Sequence, residues 1–310
     1  MQHISKLPYY NLSSYLHKTY KTSVGKVCLD GGFTCPNRDG TCGVGGCLFC
    51  GEYGAGERLY SGLSIEEQAQ YMMSHPGRRK KFIAYFQNFT NTYAPVSVLR
   101  QRYDAALTDP RVIVLSVGTR PDCLAPDTVA LLASYRSRAD VWVELGLQTA
   151  NDRTAERIRR GYRRQVFEDA VNRLRAAGLP FIVHMMIGLP GENAADVADT
   201  ADYIASFAPF GVKIHATYVM RGTALADWYR EGRYTPLTEE EYVTLAADTL
   251  TRLPPQTVIH RLTGDCREDL LIAPVWNTGK GQILTAIQNK MKASGLTQGC
   301  RSGGKNVYGI

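Results

Sequence analysis

RVIVLSVGTRPDC, residues 111–123, is an apolar, β-branched run that ends in a polar turn carrying Arg120, Asp122 and Cys123. A run with so little polar alternation is buried on both faces, as a parallel strand between helices is. Five more segments read the same way: GKVCLD (25–30), KFIAYFQ (81–87), DVWVELGLQ (140–148), PFIVHMMIG (180–188) and VKIHATYVM (212–220). Between them lie the amphipathic stretches SIEEQAQYMMSH (64–75), APDTVALLASYRSR (125–138), QVFEDAVNRLRAAG (165–178) and NAADVADTADYIASF (193–207). Several open on Ser, Asp or Asn, and Gly178 is a stop signal for one of them. Six βα units between about residues 26 and 232 predict an α/β fold, a partial TIM-like (β/α)6 barrel, with a doubly wound sheet as the alternative. No G-x-G-x-x-G follows a strand, which disfavours a dinucleotide fold.

The segments flanking this region, 1–25 and 233–310, read as extensions, the first helical and the second covering the barrel or contacting substrate. Within the second, TVIHRL (257–262) has the composition of a further strand and GQILTAIQNKMKAS (281–294) that of a helix, and the tail 300–310 is Gly-rich. With 310 residues and 44% hydrophobic composition the chain can bury one large core. MQHISKLPYYNLSSYL lacks the apolar stretch of a signal peptide, and no apolar run reaches the roughly 18 residues of a membrane helix. The expectation is a cytoplasmic protein with no membrane partner. A formal charge of +7 permits an anionic partner such as RNA. Basic residues cluster in PGRRKKF (76–82) and NDRTAERIRRGYRR (151–164), each either a solvated face or part of such a surface.

In both candidate folds, chemistry gathers at the carboxyl ends of the strands. The polar, Gly-rich and Cys-rich segments fall there: CPNRDGTCGVGGCLFC (35–50) after the first strand, QNFTNTY (87–93) after the second, GTRPDC (118–123) after the third, Gln148 closing the fourth and GLPGE (188–192) after the fifth. Four of the eight cysteines lie in the first of these. A reducing compartment disfavours disulfides and points to metal or catalysis. Cys47 and Cys50 form a C-x2-C pair, Cys35 lies upstream across a Gly-rich loop, and Cys42 lies between. Structural zinc would use all four, although only one knuckle is present. A three-cysteine iron-sulfur cluster would use Cys35, Cys47 and Cys50, leave one iron open for a small-molecule cofactor and make Cys42 a spectator. Incidental thiols are the third reading.

DGGFTCPNRDGTCGVGGCLFC (30–50) resembles the cluster loop of radical S-adenosylmethionine (SAM) enzymes of the YhcC-like group, which is related to the catalytic subunit of Elongator. The gap from Cys35 to Cys47 departs from the usual C-x3-C-x2-C spacing and is similar to this group's extended loop. The likeness continues through GTRPDC (118–123), ELGLQTANDRTAERIRRGY (144–162) and HMMIGLPGE (184–192), and so covers most of residues 20–265. The resemblance implies a [4Fe-4S] cluster on Cys35, Cys47 and Cys50, SAM on the open iron, an external one-electron reductant, and a 5′-deoxyadenosyl radical that abstracts hydrogen from substrate. It also implies SAM-binding roles. Phe49 occupies the loop's aromatic position, Gln148 and Arg160 resemble a Gln and an Arg that contact SAM, with Arg160 pairing its carboxylate. Gln87 and Asn88 are candidates for its amino group, and Gly188 for backbone approach to adenine.

Arg120 and Asp122 either contact SAM or substrate or form a structural pair. His184, Lys213, His215 and Tyr218 either face the substrate or are hydrogen-bonded core residues, and Cys123 and Cys266 read as inert buried thiols with substrate-side roles open. The substrate implied is the tRNA wobble uridine, with 5-carboxymethylaminomethyluridine remodelled to 5-aminomethyluridine and a separate tRNA methyltransferase acting next. Elongator's subunit also carries an acetyltransferase domain for which 310 residues leave no room. The basic patches would then track tRNA phosphates. A radical enzyme for a small metabolite or a protein, and a non-catalytic zinc-stapled RNA-binding protein, are the alternatives.

Overall fold

β-Branched runs separated by capped amphipathic segments fold as their periodicities require. A computed structural model describes residues 7–52, 54, 62–75, 77–264, 266–276 and 278–302. The chain opens with α1 (Leu12–Tyr20) and then alternates through β1 (Val24–Leu29), α2 (Ile65–Met73), β2 (Lys81–Phe86), α3 (Val96–Ala106), β3 (Val112–Thr119), α4 (Pro126–Ser134) and β4 (Asp140–Gln148). Two helices, α5 (Asp152–Arg157) and α6 (Arg164–Ala176), lead to β5 (Phe181–Ile187), α7 (Ala194–Ser206) and β6 (Gly211–Ala216). The remainder contains β7 (Val219–Met220), α8 (Ala224–Arg230), α9 (Glu239–Arg252), β8 (Val258–Arg261), β9 (Leu271–Ala273) and α10 (Lys280–Ala293).

The main sheet runs β1-β2-β3-β4-β5-β6-β8, with every neighbouring pair parallel. It is the expected partial TIM-like barrel with one strand more, because TVIHRL supplies a seventh strand from the segment read as a C-terminal extension. The expected strand 212–220 breaks in two. Thr217 N and Oγ1 both donate to Ile187 O at 3.0 Å as the last rung of the β5–β6 ladder, and β7 turns away to pair antiparallel with β9.

Alternate strand residues face two different interiors. Val27, Leu29, Phe86, Leu115, Val117, Val143, Val183 and Val212 pack beneath the helices in the largest core. Ile83, Tyr85, Val114, Trp142 and Ile182 face the lumen, where Leu16 of α1 joins them. α1 is held there because Tyr10 O accepts from Ile259 N at 2.8 Å and Asn11 bridges in parallel to the same residue. Thus the N-terminal helix plugs the amino end of the lumen while the carboxyl end stays clear for the loops.

Capping follows the sequence signals. Ser64 and Glu67 form a capping box on α2, Asn193 and Asp196 one on α7, and Gly178 takes φ 65° at the end of α6. The helix the sequence reading did not single out, α3, starts at Pro95 with no side-chain cap and keeps a polar outer face, so its pattern carried little signal.

Candidate active site

The cysteine loop leaves β1 at Asp30, whose carboxylate accepts from Gly32 N and Asn88 Nδ2, both at 2.9 Å. Gly45 and Gly46 take φ 80° and 86°, a region closed to most side chains, and let the chain fold back so that Gly46 N reaches Asn37 O at 2.8 Å. The C-x2-C pair is a turn closed by Cys50 N to Cys47 O at 2.9 Å, and Leu48 N donates to Ile158 O at 2.9 Å. Cys35, Cys47 and Cys50 are half-buried, whereas Cys42 is exposed.

The three half-buried thiols lie within one another's electrostatic reach. Burial pushes the Cys47 thiol up to about 12, with Cys50 and Cys35 adding to the rise and Arg120 opposing it. Burial also raises Cys50, opposed by Arg38. Thiols held this way ligate only when a metal displaces the proton. Among the described residues no three His, Cys, Asp or Glu side chains converge on one ion. Hydrogen-bond donors nevertheless face the sulfurs: the Asn37 amide Nδ2 lies 3.5 Å from Cys47 Sγ, and the Arg38 guanidinium Nη1 lies 3.6 Å from Cys50 Sγ and 2.8 Å from Gly51 O. Asn37 and Arg38 were legible only as part of the loop, because nothing in their spacing marks them as donors to sulfur. An all-thiol donor set compensated by cationic and amide donors fits an iron-sulfur cluster, whose sulfurs such groups stabilise.

Two of the residues predicted for SAM present the acceptors such a ligand needs. Asn88 Oδ1 and Gln148 Oε1 are buried without a partner at the carboxyl ends of β2 and β4, where an orphaned acceptor calls for a donor. Gln148 sits on a bulge with φ 62°, a left-handed conformation costing about 1 kcal/mol or more. Its amide lies over Gly146, where a Cβ would stand 2.7 Å from Gln148 Nε2. Gln87 is half-buried, with its N–H on Leu29 O at 3.3 Å.

Arg160 departs from the expectation. Its side chain is 1% exposed and its five N–H groups are occupied: Nε and one Nη2 donor on Tyr162 O, Nη1 on Leu147 O and Thr149 O at 2.6 Å each, and the other Nη2 donor on Asp152. With no donor left for a ligand carboxylate, it instead clamps the carbonyls on either side of Gln148. Arg120 grips Asp122 through two bonds of 2.9 and 2.6 Å, donates to Arg160 O at 2.8 Å and lies 5.1 Å from the Tyr162 ring centroid. Asp122 therefore orients Arg120, the cation that acts on Cys47 as Arg38 does on Cys50.

Phe49 packs with Leu48, Ile158, Leu189 and Val219 in a separate apolar cluster. Gly188 requires its φ of 87°, but its Cβ side abuts Leu237 at 2.9 Å and its carbonyl accepts from Tyr234 at 2.6 Å. It lines a cleft of about 610 Å³ with Glu192 and α9. Cys123 is raised by burial and Cys266 Sγ reaches Arg267 O at 3.5 Å. Tyr218 turns to Thr263 at 3.1 Å and packs on Trp276, and its ring and that of His215 both border Gly264.

His184, Lys213 and His215 do converge, around a residue the sequence reading passed over. Glu144 accepts from Ser116 Oγ at 2.6 Å, His184 Nε2 at 2.7 Å and Lys213 Nζ. Lys213 and His184 hold this buried carboxyl well below its usual range, against the desolvation that would raise it. Burial pushes Lys213 down to about 7 and keeps both histidines neutral. Glu144 was hidden in DVWVELGLQ because a strand buried on both faces shows no polar alternation.

Glu192, in GLPGE, accepts from Thr149 Oγ1 at 2.5 Å, and burial raises it to about 7 from 4.5. Folded chains keep this proton while unfolded chains release it, so stability falls as pH rises between those values. Glu192→Gln should flatten that slope, by about 1–3 kcal/mol between pH 4.5 and 7. Urea unfolding of wild type and variant across the window measures it, and parallel curves would refute the assignment.

A curled parallel half-barrel with a three-thiol loop at the carboxyl end of its first strand defines an enzyme of radical chemistry. The chain belongs to the radical SAM superfamily: that family's profile matches residues 37–204, and the radical SAM C-terminal domain matches 209–293. It is 37% identical to YhcC of Escherichia coli over 262 residues, 84% of this chain and 85% of that one. It is 33% identical over 158 residues, half of this chain, to the tRNA uridine(34) acetyltransferase of Dehalococcoides mccartyi, covering 34% of it. Its fold matches that of the archaeal Methanocaldococcus infernus Elp3 with a TM-score of 0.72 at 18% identity, covering 89% of this chain and 64% of that one. No helix among the described residues is long and apolar enough to cross a membrane.

Proposed function

We propose that this chain is a cytoplasmic tRNA-modifying radical SAM enzyme acting on the wobble uridine side chain, converting 5-carboxymethylaminomethyluridine to 5-aminomethyluridine. Cys35, Cys47 and Cys50 would hold the cluster, and Asn88, Gln148, Gln87 and Arg120 would face SAM. Bound there, cluster and SAM supply the one-electron chemistry that generates a 5′-deoxyadenosyl radical, with the electron from an external reductant. The chain's own residues orient these groups: Arg160 fixes Gln148, Asp122 fixes Arg120, and Asn37 and Arg38 stabilise charge on the sulfurs.

The observation that carries the RNA reading is a stitch between a basic segment and the cysteine loop. Arg153, Arg157, Arg159, Arg163 and Arg164 are exposed on 151–164, and this segment is tied to the loop by Asn37 Nδ2 to Arg159 O at 2.6 Å and Leu48 N to Ile158 O at 2.9 Å. Phosphates tracked by these arginines would deliver a base to the site. The other basic patch has a different place. Arg78, Arg79 and Lys80 precede β2, at the amino ends of the strands and away from the loop. The named acetyltransferase relative, sharing half of this chain, supports a tRNA uridine as target.

Neutralising Arg163 and Arg164 together should weaken tRNA binding and reduce the slope of log K against log salt by about one to two. The same change at Arg78 and Arg79 should leave the slope near wild type. The function itself is tested by nucleoside mass spectrometry of tRNA from cells lacking the protein. Wild type should clear accumulated 5-carboxymethylaminomethyluridine, Cys50→Ala should not, and an unchanged profile would sink the tRNA reading. A paired tRNA methyltransferase would then consume the exposed amine.

A further inference from the structure

The lumen beneath Gln148 holds more charge than a packed core needs. Glu144 is the carboxylate of the network, while Lys26, Lys213 and Arg261 all act electrostatically on its members. Lys213 Nζ lies 4.0 Å and Lys26 Nζ 5.0 Å from the centroid of the same Tyr85 ring. Among the described residues Lys26 has no carboxylate in salt-bridge reach, so of the two ammonium groups over this ring only Lys213 has a carboxylate partner, Glu144. Lys213 is buried and Lys26 half-buried, and an ammonium drawn out of water without a carboxylate is stabilised by an anion that joins it. His215 Nε2 is buried with no partner beside them, its ring 5.5 Å from that of His184.

Access is from the cofactor side. His184 keeps 21% of its side chain exposed, while α1 closes the opposite end of the lumen. One residue pair nearer the loops, Gly118 and Gly146 stand on the same lumen-facing rows as Ser116 and Glu144. No side chain rises from either position, and the Gln148 amide lies across Gly146. A group entering past Gln148 therefore meets Glu144 and the Lys213 ammonium bound to it.

We propose that this lumen is the receptor for a carboxylate at the end of the substrate side chain, with Lys213 and Lys26 as its cations and His215 as an additional hydrogen-bonding group. It rests on the wobble-uridine reading, in which the carboxymethyl group bears the only carboxylate of the modified base. Glu144 aims the Lys213 ammonium and is not itself the ligand's partner.

The test uses isothermal titration on the reconstituted holoenzyme. The ligand is an anticodon stem-loop RNA carrying 5-carboxymethylaminomethyluridine, compared with the same RNA as its methyl ester. Wild type should bind the acid about tenfold to a hundredfold more tightly. Lys213→Gln should erase that preference without changing the Kd of the ester, and Lys213→Arg should keep most of it. A Glu144→Gln, Lys213→Gln double variant removes both charges of the buried pair, guards against misfolding and should also show no preference. Equal binding of acid and ester by wild type, or a preference that survives loss of Lys213, overturns the receptor. Failure of the RNA reading is distinct, since both RNAs would then bind no better than an unmodified stem loop. In that event thermal shifts with N-methylglycine against N-methylglycinamide decide the receptor alone: stabilisation by the acid that Lys213→Gln abolishes upholds it, and no difference between the two probes refutes it.

Discussion

Cys50→Ala is expected to leave the chain folded while abolishing its iron-sulfur absorbance and lowering reductive SAM cleavage more than about a thousandfold. The side chain is half-buried and small, so the stability cost should be about 1 kcal/mol. Three thiols that share one electropositive pocket act as a unit, and Cys35→Ala and Cys47→Ala should be as damaging as Cys50→Ala. Cys42 is exposed, with its N–H on Pro36 O at 2.7 Å, and Cys42→Ser should retain full iron content. Iron and sulfide analysis with anaerobic 5′-deoxyadenosine assay measures all four. Iron lost with Cys42 but retained without Cys50 would reverse the ligand assignment. Arg38→Gln should keep the iron but make its potential more negative, because a charged donor on Cys50 Sγ stabilises the reduced form.

The second large effect falls on a residue that touches no thiol. Arg160→Leu removes a buried guanidinium and leaves the carbonyls of Leu147, Thr149 and Tyr162 short of donors in a dry interior. A loss of about 3–5 kcal/mol is expected, at the upper end for a single substitution. Since two of those carbonyls flank Gln148 in its left-handed bulge, the variant should also bind SAM less tightly than its residual folded fraction explains. Equilibrium dialysis of SAM, corrected for the folded fraction from denaturant curves, separates the two effects. Unchanged intrinsic affinity would mean that Gln148 holds its conformation without the clamp. Arg160→Lys should recover little, because a lysine cannot reproduce a five-donor fork.

Strands and helices were legible because their signals are local. The continuous apolar runs announced burial on both faces, and Ser64, Asn193 and Gly178 marked helix ends by chemistry confined to one turn. The same localness explains what was missed. α3 carries no cap, and TVIHRL, read as a strand, could not be assigned to the main sheet because it joins only through pairing with β6, which no short window contains. The break of 212–220 after Thr217, whose N–H and hydroxyl donate to a β5 carbonyl, likewise lies in contacts between strands.

The sequence by itself determined the order of the βα units and the placing of the Cys-rich and polar loops at one end of the barrel, because periodicity and spacing are properties of neighbouring residues; it left three uses of the cysteines open, and the set Cys35, Cys47 and Cys50 came with the family resemblance. Tertiary structure alone decided that Arg160 serves backbone carbonyls, that Asn37 and Arg38 face sulfur, and that Glu144, His184, Lys213 and Lys26 meet in the lumen. The physical reason is that a side chain's partner is chosen by which strands lie side by side. Residues 40 and 69 positions from Glu144 became its hydrogen-bond donors only when β4, β5 and β6 were laid in register.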